Sequence, residues 1–299
     1  MERFEQAAQL LPQRLRLCAM KLSSQQRGFA EELRLRIGTP MQVVTPWGEL
    51  TVDERQENVV VEEDLQGIFH KAAQYSAYTV TETVAQGYLT TQGGFRIGLC
   101  GSAVVKDGRV TGMRQFSSMA IRISREKNGL ALPLLPQLLE EGRFFSTLLL
   151  SDPGGGKTTL LRDMVRCLSD GDIPHRMALV DERGEIAAAC RGVPQMNVGS
   201  HTDVLSGCPK AEGIYMLLRT MNPEIIALDE ITSQEDLKAV CQSANCGVPL
   251  LATIHARNCL ELRQKPLFQQ LLAEKVFRRA VIIGRHDGER SYRVEELGE

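Results

Sequence analysis

A run of glycines followed by a lysine and two threonines, near the middle of the chain, has the composition of a phosphate-binding loop. The stretch comprises Ser151, Asp152, Pro153, Gly154, Gly155, Gly156, Lys157, Thr158 and Thr159. Glycines allow backbone N–H groups to turn toward phosphate oxygens, and a helix that follows presents the positive end of its dipole to the same oxygens. We expect the loop to hold a triphosphate, with Lys157 on the β- and γ-phosphates, Thr158 on a Mg²⁺ ion and Thr159 near the α-phosphate.

The first position of the loop departs from the usual pattern. Phosphate loops of this kind begin with glycine, whereas this chain has Ser151 there. If the position requires a positive φ, the serine is strained. We expect the serine to lower the affinity for the triphosphate or the rate of its turnover without abolishing function. A chance Gly-Lys-Thr triplet is the alternative, and the preceding apolar run and two further glycines argue against it.

An acidic pair stands at the end of another apolar run. Asp229 and Glu230 directly follow the apolar residues 225–228. Ligands of open α/β sheets bind at the carboxyl ends of the strands, so both carboxylates are expected to face the phosphate loop. Asp229 could hold the water shell of Mg²⁺, and Glu230 could polarise the attacking water. A solvated acidic turn after a core strand is the alternative.

Two more strand ends carry ionisable groups. Asp181, Glu182 and Glu185 could face the same cleft, with Glu182 taking part in catalysis, or they could form a surface turn paired with Arg183. His255 ends a further apolar run, where it could hydrogen-bond the γ-phosphate and report its loss. A histidine that is merely satisfied at the rim of the sheet is the alternative.

Arginines near the middle of the chain could complete a site from a neighbouring subunit. Phosphoryl transfer gains much from an arginine delivered in trans. The candidates are Arg96, Arg114, Arg122, Arg125 and Arg219. Each of them also suits a surface ion pair, so no single one is selected.

These groups must be positioned by a sheet whose strands end at a common edge. Apolar runs occur at 144–150, 176–182, 224–230, 248–255 and 278–284. Helical stretches lie between them, one ending at Gly171 and another over residues 184–190. Continuous apolar strands that alternate with helices are typical of a parallel sheet covered on both faces. Residues 126–299 are therefore predicted to form an α/β domain with a mostly parallel sheet.

The first 125 residues have a different pattern, with short alternating runs and many turns. Residues 31–38 alternate apolar and charged side chains, which predicts a half-buried strand, and 41–52 suit a hairpin around Pro46-Trp47-Gly48. An amphipathic helix is expected over 62–77. Short strands are expected at 95–101, 102–105 and 108–113, with a tight turn at Lys106-Asp107-Gly108. Residues 1–125 are thus predicted to be a smaller α+β domain.

Composition excludes several classes of protein. The 299 residues are 43% hydrophobic, which is too much for a disordered chain, and 35 Lys and Arg against 37 Asp and Glu argue against a nucleic-acid partner. The eight cysteines lack a Cys-x-x-Cys pair, so we expect reduced, mostly buried thiols in a cytosolic protein. No signal peptide and no apolar run of about 18 residues is evident.

The motifs also occur in a recognisable order. The loop, VDERGEIA, LRTMNPEIIALDE and ATIHARN are similar to those of the secretion-type ATPases of the RecA-like class, a group of P-loop NTPases. The upstream strings GFRIGLCGSAVV and IRISR narrow the resemblance to ATPases of endospore-forming bacteria, over roughly residues 30 to 260. VDERGE then corresponds to the aspartate box of the class and TIH to its histidine box.

The resemblance carries functional expectations. It implies a RecA-like ATPase domain that uses ATP and Mg²⁺ and a homo-oligomer, expected to be a hexamer. It further implies a cytoplasmic location in the mother cell, with docking on membrane proteins of a channel that joins mother cell and forespore. The N-terminal domain would then serve oligomerisation or docking.

Two other functions remain open from the sequence. LSGCP at 205–209 lies where an ABC-type transport ATPase keeps its signature, although Cys208 and Pro209 differ from it and no aromatic base-stacking residue precedes the loop at the usual distance. A module for single-stranded nucleic acid is the other. Its basic groove and stacking aromatics would be Arg34, Arg36, Arg96, the arginines of 114–125, Phe29, Tyr75, Tyr78 and Phe95. Near-neutral charge and sparse aromatics argue against it.

Overall fold

The computed structural model describes residues 2–55, 58–73, 83–286 and 289–297. The chain divides into two compact units. The first comprises residues 1–125 together with 188–195, and the second comprises 126–187 together with 196–299. None of the helices within the described ranges is long and apolar enough to cross a bilayer.

The first unit combines helices with a six-stranded antiparallel sheet. The helices are α1 (Glu2–Ala8), α2 (Gln13–Ala19), α3 (Ser24–Phe29) and α4 (Glu62–Ala73). The strands are β1 (Glu32–Arg36), β2 (Gln42–Thr45), β3 (Gly48–Thr51), β4 (Tyr88–Thr90), β5 (Arg96–Lys106) and β6 (Arg109–Arg122). Their order in the sheet is β3-β2-β1-β6-β5-β4.

The alternation of side chains decides which face of this sheet is buried. Leu33 and Leu35 of β1 are fully buried in the core of the unit, whereas its charged residues are only partly buried, so the predicted half-buried strand is confirmed. The predicted hairpin in 41–52 is confirmed by the pairing of β2 with β3. Of the predicted helix, residues 62–73 form α4, and 74–77 lie outside the described residues.

The three short strands expected between 95 and 113 are instead two long ones. Strands β5 and β6 pair as a single hairpin that turns at Asp107 and Gly108. Both turn residues have positive φ, 50° and 74°, as in a two-residue type I′ turn. The turn was thus predicted correctly. The strand lengths were wrong because the outer part of the hairpin is exposed on both faces and has no burial pattern to mark it.

The second unit has a seven-stranded sheet with helices on both faces, and a separate two-stranded ladder formed by its first two strands. Its helices are α5 (Leu135–Leu138), α6 (Lys157–Asp170), α7 (Lys210–Thr220), α8 (Gln234–Asn245), α9 (Cys259–Gln264) and α10 (Pro266–Ala273). Its strands are β7 (Leu139–Glu140), β8 (Arg143–Phe144), β9 (Thr147–Ser151), β10 (Met177–Asp181), β11 (Thr202–Ser206), β12 (Ile225–Leu228), β13 (Leu250–His255), β14 (Arg279–His286) and β15 (Glu289–Glu296).

The sheet is mostly parallel, as predicted. Its order is β11-β10-β12-β13-β9-β14-β15, and only the pair β14–β15 is antiparallel. Leu148 and Leu150 of β9 enter one apolar cluster and Leu149 enters another, because successive side chains of a strand point to opposite faces. All residues of β9 are buried. This two-sided burial explains the continuous apolar runs in the sequence.

Two expectations about this unit need correction. The helix expected over 184–190 is absent, because the backbone N–H groups at its start bond to the Asp181 carboxylate instead of to one another. The cysteines were expected to be mostly buried. All eight are free thiols, but only Cys18 and Cys167 are buried, while Cys100 and Cys246 are exposed.

Candidate nucleotide-binding site

The loop between β9 and α6 needs glycine at all three positions, for reasons of backbone angle or of space. Gly154 and Gly156 have φ of 73° and 103°, in the left-handed region that favours glycine. Gly155 lacks a positive φ, but a Cβ there would lie 2.3 Å from the Ser151 Oγ. Gly156 also caps α6 without a side-chain hydrogen bond, so the first N–H groups of that helix are left for a ligand.

Ser151 is accommodated without the backbone strain that the sequence allowed. It is the last residue of β9, pairs with His255 of β13 and does not have a positive φ. Its hydroxyl donates to the Asp152 carbonyl at 2.8 Å. The serine is therefore compatible with the loop as long as position 155 stays glycine. Its effect on turnover remains a prediction.

Lys157 is buried at the start of α6 and points back into the loop. Its Nζ donates to the carbonyls of Ser151 and Asp152 at 3.0 and 3.3 Å and lies 2.8 Å from the Nδ1 atom of His255. Burial lowers the pKa of this ammonium group, and the charge of Glu230 acts in the opposite direction. An anion in the loop would favour the charged form.

A threonine hydroxyl and a carboxylate meet beside the loop. The Thr158 hydroxyl donates to the Asp229 Oδ2 at 3.2 Å. These are hard oxygen ligands of the kind that Mg²⁺ prefers, so the two residues fit the metal position predicted for them. Thr253, which the sequence analysis missed, bonds to Asp229 through its hydroxyl and accepts the Glu230 N–H at 2.9 Å. Its position inside the apolar run of β13 concealed it.

Glu230 and His255 contact each other next to Lys157. The Glu230 carboxylate lies against the Nε2 atom of His255 and 3.6 Å from the Arg183 guanidinium. Glu230 has a φ of 36°, which is uncommon for a residue other than glycine and which concentrates at functional sites. The three side chains Lys157, His255 and Glu230 therefore form a continuous chain of polar contacts.

The third acidic strand end lies at the same edge. A cavity of about 60 Å³ is lined by Thr158, Asp181, Glu182, Arg183, Glu185, Lys210, Asp229 and Glu230. Within it Glu182 forms an ion pair with Lys210, whose side chain is 8% exposed. Lys210 was not predicted as a site residue, because nothing in the sequence at the start of α7 indicates that its side chain reaches Glu182. The structure thus brings Glu182 to the cavity, where it is paired with a lysine.

Asp181 supports the backbone of this edge. Its carboxylate accepts the N–H groups of Glu185, Ile186 and Ala187 at 2.9–3.2 Å. Burial raises the pKa of the Asp181 carboxyl, and the three hydrogen bonds act against that rise. The side chain therefore holds the turn that carries Glu182 and Glu185.

Replacing Asp181 by alanine is expected to destabilise the fold. The change leaves buried N–H groups without an acceptor, which corresponds to a loss of about 3 kcal/mol in the free energy of unfolding. Urea denaturation followed by circular dichroism would measure it. Asp203→Ala, at an exposed position of the neighbouring strand β11, is the matched control. Equal stability of the two variants would contradict the assigned role.

The arginines proposed to act in trans have varied surroundings. The Arg96 guanidinium lies 3.8 Å from the Tyr88 ring centre, Arg122 lies 3.8 Å from Glu32, and Arg125 donates to a backbone carbonyl. Arg114 and Arg219 are exposed. No member of the set is distinguished by these contacts.

Two of the four aromatic residues of the nucleic-acid hypothesis lie in the described part of the chain, and these two do not form a stacking surface. Phe95 is 2% exposed and lies under the Arg3 guanidinium. Phe29 packs edge-on against Trp47. Tyr75 and Tyr78 lie outside the described residues. The described part of the chain thus gives this alternative no support.

Sequence comparisons place the chain in a family. The family described as "Sporulation stage III, protein AA" matches residues 1–294. Stage III sporulation protein AA of Bacillus subtilis is 36% identical over 289 residues, which cover 94% of this chain and 91% of that protein. The uncharacterized protein ycf45 of Cyanidium caldarium is 30% identical over 157 residues, 52% of this chain and 45% of the relative.

Solved structures share the fold. The ATPase DotB of Legionella pneumophila superposes with a TM-score of 0.58 over 89% of this chain and 76% of its own, at 14% identity. The pilus retraction motor PilT, solved with ADP, superposes with a TM-score of 0.59 over 89% of this chain and 79% of its own, at 13% identity. The second unit therefore has the RecA-like P-loop NTPase fold of secretion-type ATPases, preceded by an antiparallel-sheet unit. The chain belongs to the stage III sporulation protein AA family.

Proposed function

We propose that this chain is a Mg²⁺-dependent ATPase. The observation that carries the proposal is the convergence of two groups of side chains at the phosphate loop. Thr158 and Asp229 meet beside the loop, and Lys157, His255 and Glu230 are in continuous contact. They come from three places in the chain, the start of α6, the end of β12 and the end of β13, so only the folded sheet assembles them. Such a set supports phosphoryl transfer to water.

Each residue has a distinct task in this proposal. The loop N–H groups and Lys157 hold the phosphate oxygens, and Thr158 and Asp229 hold Mg²⁺, which neutralises phosphate charge when bound. Glu230 orients the attacking water and accepts its proton. His255 now contacts both Lys157 and Glu230, so a phosphate that draws Lys157 away would also change the surroundings of Glu230. This is how His255 would sense the γ-phosphate.

The direct test is release of inorganic phosphate from ATP by the purified chain. We expect hydrolysis with Mg²⁺ and its loss when the metal is chelated, because the metal neutralises the developing charge. Binding of ATP without Mg²⁺-dependent hydrolysis would contradict the proposed activity.

The motor role rests on the family and the fold. A sporulation protein with the fold of secretion-type ATPases is best explained as a homo-oligomeric ring, a hexamer in our proposal, that energises or assembles a transmembrane channel during endospore formation. We propose that it docks from the cytoplasm on membrane proteins of a mother cell–forespore channel. The antiparallel-sheet unit would supply the docking or oligomerisation surface.

A shared catalytic site predicts that activity depends on protein concentration. If a neighbouring subunit supplies an arginine, specific ATPase activity should rise with concentration until assembly is complete. Light scattering with ATP and Mg²⁺ should then give a mass near six times the 33.2 kDa of the chain. A constant specific activity from a strict monomer would rule out the ring.

A further inference from the structure

The hairpin formed by β14 and β15 lies next to the phosphate loop, although the sequence analysis assigned it no function. Strand β14 runs parallel to β9, with Ile282 opposite Leu150. Its carboxyl end therefore reaches the level at which β9 passes into the loop. Strand β15 returns from there, so its first residues lie beside the loop as well.

Two arginines near the tip of this hairpin point to the face that carries α6. Ile283 of β14 and Tyr292 of β15 pack into the apolar cluster that also holds the inner side of α6. Arg285 and Arg290 are each two residues away along the strand and so share that face. They are also directly opposite each other in the pairing register. Like charges in that arrangement destabilise a hairpin unless an anion lies between or beside them.

The Arg290 side chain reaches the loop itself. An ideal Cβ on Gly156 would lie 2.6 Å from the Cζ atom of Arg290, 2.8 Å from Nη2 and 2.9 Å from Nε. The guanidinium therefore covers the residue that immediately precedes Lys157 and α6. None of the carboxylates whose side chains the structure describes forms an ion pair with Arg290. A half-buried guanidinium beside a helix N-terminus is a concentration of positive charge that favours an anion.

We infer that Arg290 binds the phosphate tail of the nucleotide from within the same chain, with Arg285 adding to the positive field. The inference rests on the proposed nucleotide function and adds to it a residue outside the loop and acidic motifs. It also gives Gly156 a second reason to be glycine, since a side chain there would displace the guanidinium.

The test compares nucleotide affinity in Arg290→Ala, Arg290→Lys and Arg293→Ala. Arg293 lies on the opposite face of the same strand, is exposed and pairs with Glu295, so it is a matched control. A fluorescent ATP analogue is titrated with Mg²⁺ and then displaced by unlabelled ATP or by inorganic tripolyphosphate. We expect Arg290→Ala to lower the affinity for both competitors about tenfold or more, as for the loss of a charge-assisted hydrogen bond. Arg290→Lys should retain part of the affinity, and the Arg293→Ala protein should bind both competitors as tightly as the wild type.

The outcomes separate this inference from the proposed function. Unchanged affinity for both competitors in a folded Arg290→Ala protein, checked by its melting temperature without ligand, would overturn the inference alone. A loss confined to ATP, with tripolyphosphate unaffected, would also overturn it, because the contact would then be to the nucleoside. A wild-type chain that binds neither compound would overturn the proposed function as well.

Discussion

Lys157→Ala is expected to abolish nucleotide binding, with an affinity at least about 100-fold below that of the wild type. The lysine is the cation that the loop itself directs at the phosphates, and its loss removes two or more charge-assisted hydrogen bonds of about 1.5–3 kcal/mol each. Titration of a fluorescent ATP analogue with Mg²⁺ measures the change, and phosphate release should fall to background.

The nucleotide-free protein should tolerate this substitution. Lys157 is buried, and burial lowers the pKa of its ammonium group, so the charge is costly to hold when no phosphate is bound. Removing the ammonium group loses its hydrogen bonds to two carbonyls but also removes the cost of burying its charge. We therefore expect little change in melting temperature. Lys238→Ala, at an exposed position on α8, controls for the loss of a lysine. Tight ATP binding by a folded Lys157→Ala protein would show that the loop does not hold the triphosphate as proposed.

The parts of the fold that follow from burial were predictable from sequence. Strands β9, β10, β12 and β13 are buried on both faces, and such strands read as continuous apolar runs. The helix α6 ends before Gly171, as its spacing indicated. Because parallel strands end at one edge, the acids after β12 and the histidine at the end of β13 were expected near the loop, and the structure brings them together.

Residues that act through tertiary placement were not predictable in the same way. Thr253 is one polar residue inside an apolar strand, and nothing in its neighbours indicates that it contacts Asp229. Arg290 reaches Gly156 only because β15 returns antiparallel to β14, which is itself the neighbour of β9. Residues 188–195 group with the first unit through contacts that are distant in sequence, such as the bond from the Gly93 N–H to the Gln195 side chain. Local periodicity carries no information about such contacts.

Side-chain competition explains the one helix that was predicted wrongly. Residues 184–190 have the composition of a helix, yet their first N–H groups bond to Asp181 from the end of β10. A carboxylate placed by the sheet offers these groups a partner before a helical turn can form. The same contact fixes the turn that carries Glu182 to the cavity. The segment whose helix was predicted wrongly therefore begins at the candidate site.

Glu230→Gln is expected to separate binding from hydrolysis. Glutamine keeps the size of the side chain but cannot accept a proton from the attacking water, and the loss of a general base lowers rates by about 10²- to 10⁴-fold. Binding should persist or tighten, because the carboxylate lies beside the groups that surround the phosphate loop and would repel the phosphates. Single-turnover phosphate release and nucleotide titration together measure the two effects, with Glu235→Gln, exposed on α8, as the control.

The contacts of Glu230 make this test specific to its proposed role. The Glu230 carboxylate contacts His255 and lies near Arg183, so glutamine can retain a hydrogen bond in the same place and the fold should be preserved. A slow variant that still binds ATP would then reflect chemistry rather than misfolding. If Glu230→Gln hydrolysed ATP at the wild-type rate, another group would have to activate the water. Glu182, which lines the same cavity and is paired with Lys210, would be the first to substitute.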